Sequence, residues 1–124
     1  ESVEDCQWIG LLKAWMKRVA IECLEPMLVK LSDAHGFDFS RVQWRFQKTR
    51  WGSCSHRASI SLNIKLLFLP LSLVEYVMLH ELCHTKYLNH GSGFWRLLEQ
   101  VCPDARAKDK QLALFDFAGL KWLS

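Results

Sequence analysis

The residues whose types and spacing point to chemistry are His80-Glu81-Leu82-Cys83-His84, followed by Asn89-His90. On an α-helix, residues four apart lie on one face a turn from each other, so His80 and His84 present two imidazoles to one point. Glu81 is rotated by about 100° from His80, near enough to reach a water at a metal without ligating that metal. This is the physical content of an H-E-x-x-H pattern: two nitrogen ligands for Zn2+ and a general base. Two histidines that merely decorate a helix surface would leave Glu81 and His90 as coincidences.

A hydrolytic zinc site takes three protein ligands and keeps a fourth position open. His90 lies six residues beyond His84. In a continuing helix it would be turned about 240° away and lifted about 9 Å, out of reach. The helix is therefore expected to stop just after His84 and the chain to turn back. Asn89, Gly91 and Gly93 suit such a turn because they tolerate left-handed backbone. Tyr87 stands where the longer pattern H-E-x-x-H-x-x-G-x-x-H has its glycine, so the bend is expected nearer Asn89. Glu99, fifteen residues after His84, is the rival third ligand. A Cys83 thiolate is a weaker alternative to a small buried apolar role, and His35 and His56 are isolated and expected at the surface.

Several elements must position these groups. From Trp8 to Leu31 apolar residues recur every three or four positions, which predicts an amphipathic helix with Trp8, Trp15 and Met16 in the core. Pro26 predicts a kink or break, and Gly36 a C-terminal cap near Ala34-His35. Residues 1–5, polar and acidic, read as a frayed lead-in. Val42, Trp44 and Phe46 alternate with polar residues, as do Ile60 and Leu62, and these predict two strands paired antiparallel across a turn at 51–55. Ser72 with Glu75 resembles a capping box before an apolar helix running from about Leu71 to Tyr87. A helix is expected from Ser92 or Gly93 to Cys102, and a helical tail through Leu112, Leu114, Phe115 and Phe117 to a stop at Gly119.

With 124 residues, 50% hydrophobic and 23% charged, the chain suits one compact domain, 1–124, rather than a disordered or fibrous chain. A formal charge of +3 is too small to argue for nucleic acid, although Arg41, Arg45, Lys48, Arg50 and Arg57 fall within seventeen residues. Five cysteines without a C-x-x-C pair suggest no disulfide framework and favour a cytoplasmic setting. No stretch is apolar enough to span a membrane, and no secretory signal is evident. The chain begins with Glu1 rather than Met, which suggests the catalytic core of a longer protein.

Together, Arg50-Trp51-Gly52-Ser53-Cys54-Ser55, Ile60-x-Leu62-Asn63, Pro70, Tyr76-Val77, the H-E-x-x-H run, Asn89-His90, Phe94-Trp95 and Pro103-Asp104 resemble a YgjP-like zinc metallopeptidase. The SprT and WLM groups are looser relatives, and Gly91 stands where many members carry Ser. The resemblance implies an α+β, compact zincin-like fold: N-terminal helix, small antiparallel sheet, buried H-E-x-x-H helix and C-terminal helices. It implies His80, His84 and His90 as ligands and Glu81 as base. Peptide or protein is then the expected substrate, docked by strand addition along Ser59, Ile60, Ser61, Leu62 and Asn63, with Trp51 lining the cleft. Tyr87 or a backbone N–H near 52–55 is a candidate oxyanion donor. The competing classes are a zinc-stabilised module that binds protein or nucleic acid without cutting it, and a protease acting on DNA-bound proteins, for which the basic stretch 41–57 is the local support.

Overall fold

A computed structural model describes residues 3–115, 119, 120 and 123. Two N-terminal helices, α1 (Val3–Cys23) and α2 (Glu25–His35), replace the single long one. The break falls at Leu24 because Pro26 sits in the first turn of α2, where its missing N–H has no helical acceptor to lose. Helix α1 already starts at Val3, within the stretch read as a lead-in. Gly36 ends α2 in the left-handed region at φ 70°, a conformation costly for any side chain with a Cβ. Met16 and Ala20 of α1 and Leu24 at the break are buried, but Trp8 and Trp15 are 73% and 57% exposed, contrary to expectation. The two tryptophans share a face about 100° round the helix from Met16, so packing on Met16 and Ala20 leaves them outside.

The sheet has three strands, β1 (Arg41–Arg45), β2 (Gly52–Cys54) and β3 (Ser59–Asn63), in the order β1-β3-β2. β1 runs parallel to β3, pairing Val42 with Ile60 and Trp44 with Leu62. β2 runs antiparallel to β3, pairing Gly52 with Leu62. The expected antiparallel pairing of the first and last strands is therefore wrong, and the supposed turn at 51–55 is itself a strand. The chain passes from β1 to the far edge, lays down β2, and returns through a tight turn at Ser55–Ala58 to fill the middle. Ser55 N–H donates to the Ser59 carbonyl at 2.9 Å, and Ala58 takes a positive φ of 60° there. Asn63, fully buried, ties the crossing down: its Nδ2 donates to the carbonyls of Gln47 and Arg50, and its Oδ1 accepts from the Lys65 N–H.

A 3-10 turn over Ile64–Phe68 leads to α3 (Leu71–Cys83), then α4 (Ser92–Val101) and α5 (Ala105–Ala113). No capping box forms at α3, where Pro70 is the N-cap residue and its carbonyl receives the N–H groups of Leu73 and Val74. Leu73, Val74, Val77, Met78 and Leu82 are buried, which makes α3 the spine of the core. Helix α5 ends at Ala113, short of Gly119, and Phe117 lies outside the described residues. Among the described residues no helix is long and apolar enough to cross a membrane.

Candidate metal centre

Helix α3 ends at His84, as the third-ligand argument required. The His84 N–H is shared between the carbonyls of His80 and Glu81, and the next N–H groups bond to Leu82 and Cys83. Thr85 Oγ1 also donates to the Leu82 carbonyl, at 2.6 Å. The chain then returns without any left-handed residue; Gly91 has φ −84° and an extended ψ. Right-handed turn residues directly after His84 make the reversal, not left-handed backbone at Asn89, Gly91 or Gly93.

The return brings His90 back over the helix. Ligand-capable atoms of His80, His84 and His90 lie within 4.8 Å of one another, and His84 Nε2 is 3.0 Å from His90 Nε2. His84 Nδ1 donates to the Tyr87 carbonyl at 2.8 Å, which leaves Nε2 as the nitrogen with a free lone pair. Burial holds this imidazole below its ordinary pKa, against the opposing pull of the Tyr87 carbonyl and Glu81. A neutral ring whose orientation is set by a backbone acceptor is suited to ligation. His80 Nδ1 is 3.1 Å from Glu81 Oε2, and Glu81 is buried.

Phe94 of α4 forms the floor beneath all three rings. It is stacked on His84 with centroids 4.5 Å apart, and edge-on to His80 and His90 at 5.0 and 4.9 Å. The sequence carries Phe94 only as part of the Phe94-Trp95 motif, and nothing local in it places the ring beneath the histidines.

The other candidates separate cleanly. Glu99 lies on α4 with its Oε1 accepting from Arg106 Nε at 3.0 Å, away from the three histidines. Cys83 is fully buried and does not join the three histidines in their group of ligand-capable atoms; burial pushes its thiol up to about 12. His35 and His56 are exposed. The Tyr87 ring lies over Gly93, where an added Cβ would stand 2.8 Å from Cε1. Tyr87 does not line the cleft above the histidines, whereas Trp51 does.

That cleft, about 460 Å³, has β2 as one wall and the histidines with Glu81 at its base. Gly52 is pressed against the base: a Cβ there would come 3.0 Å from Glu81 Cγ. The expected docking strand does not fit. β3 is the middle strand with both edges paired, Ile60, Leu62 and Asn63 are fully buried, and Ser59 and Ser61 do not line the cleft. The edge beside the site is β2. The Asn63 N–H donates to Trp51, and Ser55 donates to Ser59, so residues 51, 53 and 55 bond inward to β3. By the antiparallel alternation, Gly52 and Cys54 turn their N–H and C=O groups outward.

A helix ending in two histidines, a third histidine returned by a short loop, and a small sheet alongside make an α+β metallopeptidase domain. The chain belongs to the YgjP-like metallopeptidase domain family, whose model matches residues 1–114. Among solved structures, it resembles the metallopeptidase zymogen abylysin of Pyrococcus abyssi, with 29% identity, a TM-score of 0.63, and 71% of this chain and 90% of that one covered. The jannalysin zymogen of Methanocaldococcus jannaschii shares the fold, with 22% identity, a TM-score of 0.58, and 73% and 96% coverage. A comparison with curated proteins found no match.

Proposed function

We infer that the chain is a zinc-dependent peptidase domain in which His80, His84 and His90 hold the ion and Glu81 is the general base. The observation that carries this reading is the convergence of three imidazoles within 4.8 Å beside a buried carboxylate. The donor set fits the ion: three nitrogen ligands, without thiolates or a cage of hard oxygens, suit zinc in an open site. When bound, the ion supplies Lewis acidity, which polarises a peptide carbonyl and brings the pKa of a water to about 7.

The residues of the chain do the rest. Glu81 Oε2 takes the water's proton as the carbonyl is attacked and returns it to the leaving amine. The Tyr87 carbonyl and the Phe94 ring keep His84 from rotating. The outward N–H and C=O groups of Gly52 and Cys54 bind the substrate backbone as an added strand, with Trp51 alongside. The peptide thus docks on β2 rather than on β3. The chain acts as one catalytic domain, 1–124, in the cytoplasm. A binding module folded around a closed site would need a fourth side chain; among the described residues, three donors group together.

Glu81→Gln tests the reading. The variant is expected to keep the metal stoichiometry of the parent and to lose peptide cleavage by about two to four orders of magnitude. Full activity in the variant would remove Glu81 as base. Absence of bound metal from the parent chain would remove the centre itself.

A further inference from the structure

Acidic residues are unevenly spread along this chain. Between Asp38 and Glu75 there is no Asp or Glu, while Arg41, Arg45, Lys48, Arg50, Arg57 and Lys65 fall inside that interval. Six of the 16 Lys and Arg are thus set apart from all 13 Asp and Glu, leaving ten cations against 13 anions elsewhere. The interval holds the whole sheet and its connections, so the sheet wall of the cleft is electropositive and the helical remainder is not.

Three of these cations are already engaged. Lys65 is buried with its Nζ on the Gln47 carbonyl, Arg41 donates to Ser59 Oγ, and Arg45 donates to Gln43 Oε1. Arg50 is placed differently. It is exposed and lines the cleft, with no ion pair or side-chain hydrogen bond among the described residues. Its backbone is anchored, since its carbonyl accepts from Asn63 Nδ2 at 2.7 Å. It precedes by two residues the glycine that touches Glu81. Glu81 is the one acidic residue among those described that line the cleft, and Val77, Leu88 and Leu112 are apolar.

We propose that Arg50 is a specificity-determining residue that receives a carboxylate of the peptide substrate. The recognition rests on the peptidase reading for its substrate class. A strand added along β2 passes Arg50 within about two residues of the bond beside Glu81, at about 3.3 Å per residue. A planar guanidinium with a fixed fork of donors pairs with a carboxylate through two parallel hydrogen bonds. The carboxylate is either an Asp or Glu side chain or the peptide's own terminus. A nucleic acid is the poorer fit: it needs a row of cations along its backbone, and Arg50 is the one Lys or Arg among the described residues that line the cleft.

The test is calorimetric binding of matched peptides to the metal-loaded Glu81→Gln chain, which holds substrate without cutting it. Glu replaces Gln at each position in turn, and a second arm compares free with amidated C-termini. One position, or the free terminus, is expected to tighten binding about five- to tenfold. That preference is expected to vanish in Arg50→Gln and to return in part in Arg50→Lys. Equal binding of Glu and Gln peptides with equal binding of the two termini would overturn the proposal, as would a preference that survives Arg50→Gln. So would an oligonucleotide that displaces the acidic peptide at lower concentration. If the preferred peptide binds through Arg50 but the parent chain never cleaves it, hydrolysis fails as a reading while the carboxylate subsite stands.

Discussion

Gly52 and Glu81 are in closer contact than any side chain at position 52 would allow: an ideal Cβ would lie 3.0 Å from Glu81 Cγ and 3.1 Å from Oε2. The edge strand thereby fixes both the position of the carboxylate and the width of the cleft. Gly52→Ala should push Glu81 or β2 outward by a few tenths of an ångström and lower kcat/KM at least tenfold while leaving metal content unchanged, since small displacements of catalytic groups are costly. Parallel metal analysis and peptide kinetics would check this. Undiminished turnover would mean that the contact has no catalytic consequence.

The third ligand is decided by a comparison of two variants. His90→Ala should reduce metal occupancy at a given free zinc concentration by tenfold or more, because two imidazoles remain. Glu99→Gln should leave occupancy unchanged and remove only an exposed pair with Arg106. The opposite pattern in a zinc titration would transfer the ligand role to Glu99.

Cys83 offers a check that needs no substitution. Its thiol is buried and held protonated by burial, with a pKa of about 12, whereas Cys23 is exposed. Reagents attack thiolates, so at pH 8 alkylation should label Cys23 readily and Cys83 only after denaturation. Peptide mass mapping after a short pulse reads the result. Prompt labelling of Cys83 in the folded chain would contradict its burial at the end of the motif helix.

Tyr76 links the motif helix to α5: its hydroxyl donates to Asp109 Oδ1 at 2.9 Å, and its ring meets that of His80 edge-on at 5.9 Å. Helix α5 in turn contributes Leu112 to the cleft. Tyr76→Phe should cost about 1 kcal/mol in stability, as should Asp109→Ala. The double variant should be less destabilised than the sum of the two singles, because both remove one bond. Denaturant midpoints would measure this, and strict additivity would show that the bond contributes nothing.

The local chemistry of the site was legible in the sequence because it is a matter of helical period. The spacing of His80, Glu81 and His84 places two rings on one face wherever that helix lies, and six residues to His90 are too many for a helix and enough for a return. The break by Pro26 and the cap at Gly36 were legible for the same reason: ring closure and a missing Cβ act on their own backbone. Burial on α1 was not legible. Its apolar residues spread over more than one face, and only packing against α2, β1 and the 3-10 turn selected Met16 and Ala20 over Trp8 and Trp15.

Strand order was the larger gap. Gly52-Ser53-Cys54 has no alternation and no β-branched residue, so nothing in the sequence distinguishes it from a turn. Only long-range pairing makes it a strand, places β3 in the middle, and leaves β2 as the free edge over Glu81. The spacing of His80 and His84 belongs to the sequence because neighbours along a helix define it. The strand edge beside Glu81, the floor under the rings and the isolation of Glu99 belong to the tertiary structure, because each depends on which distant segment comes to lie alongside.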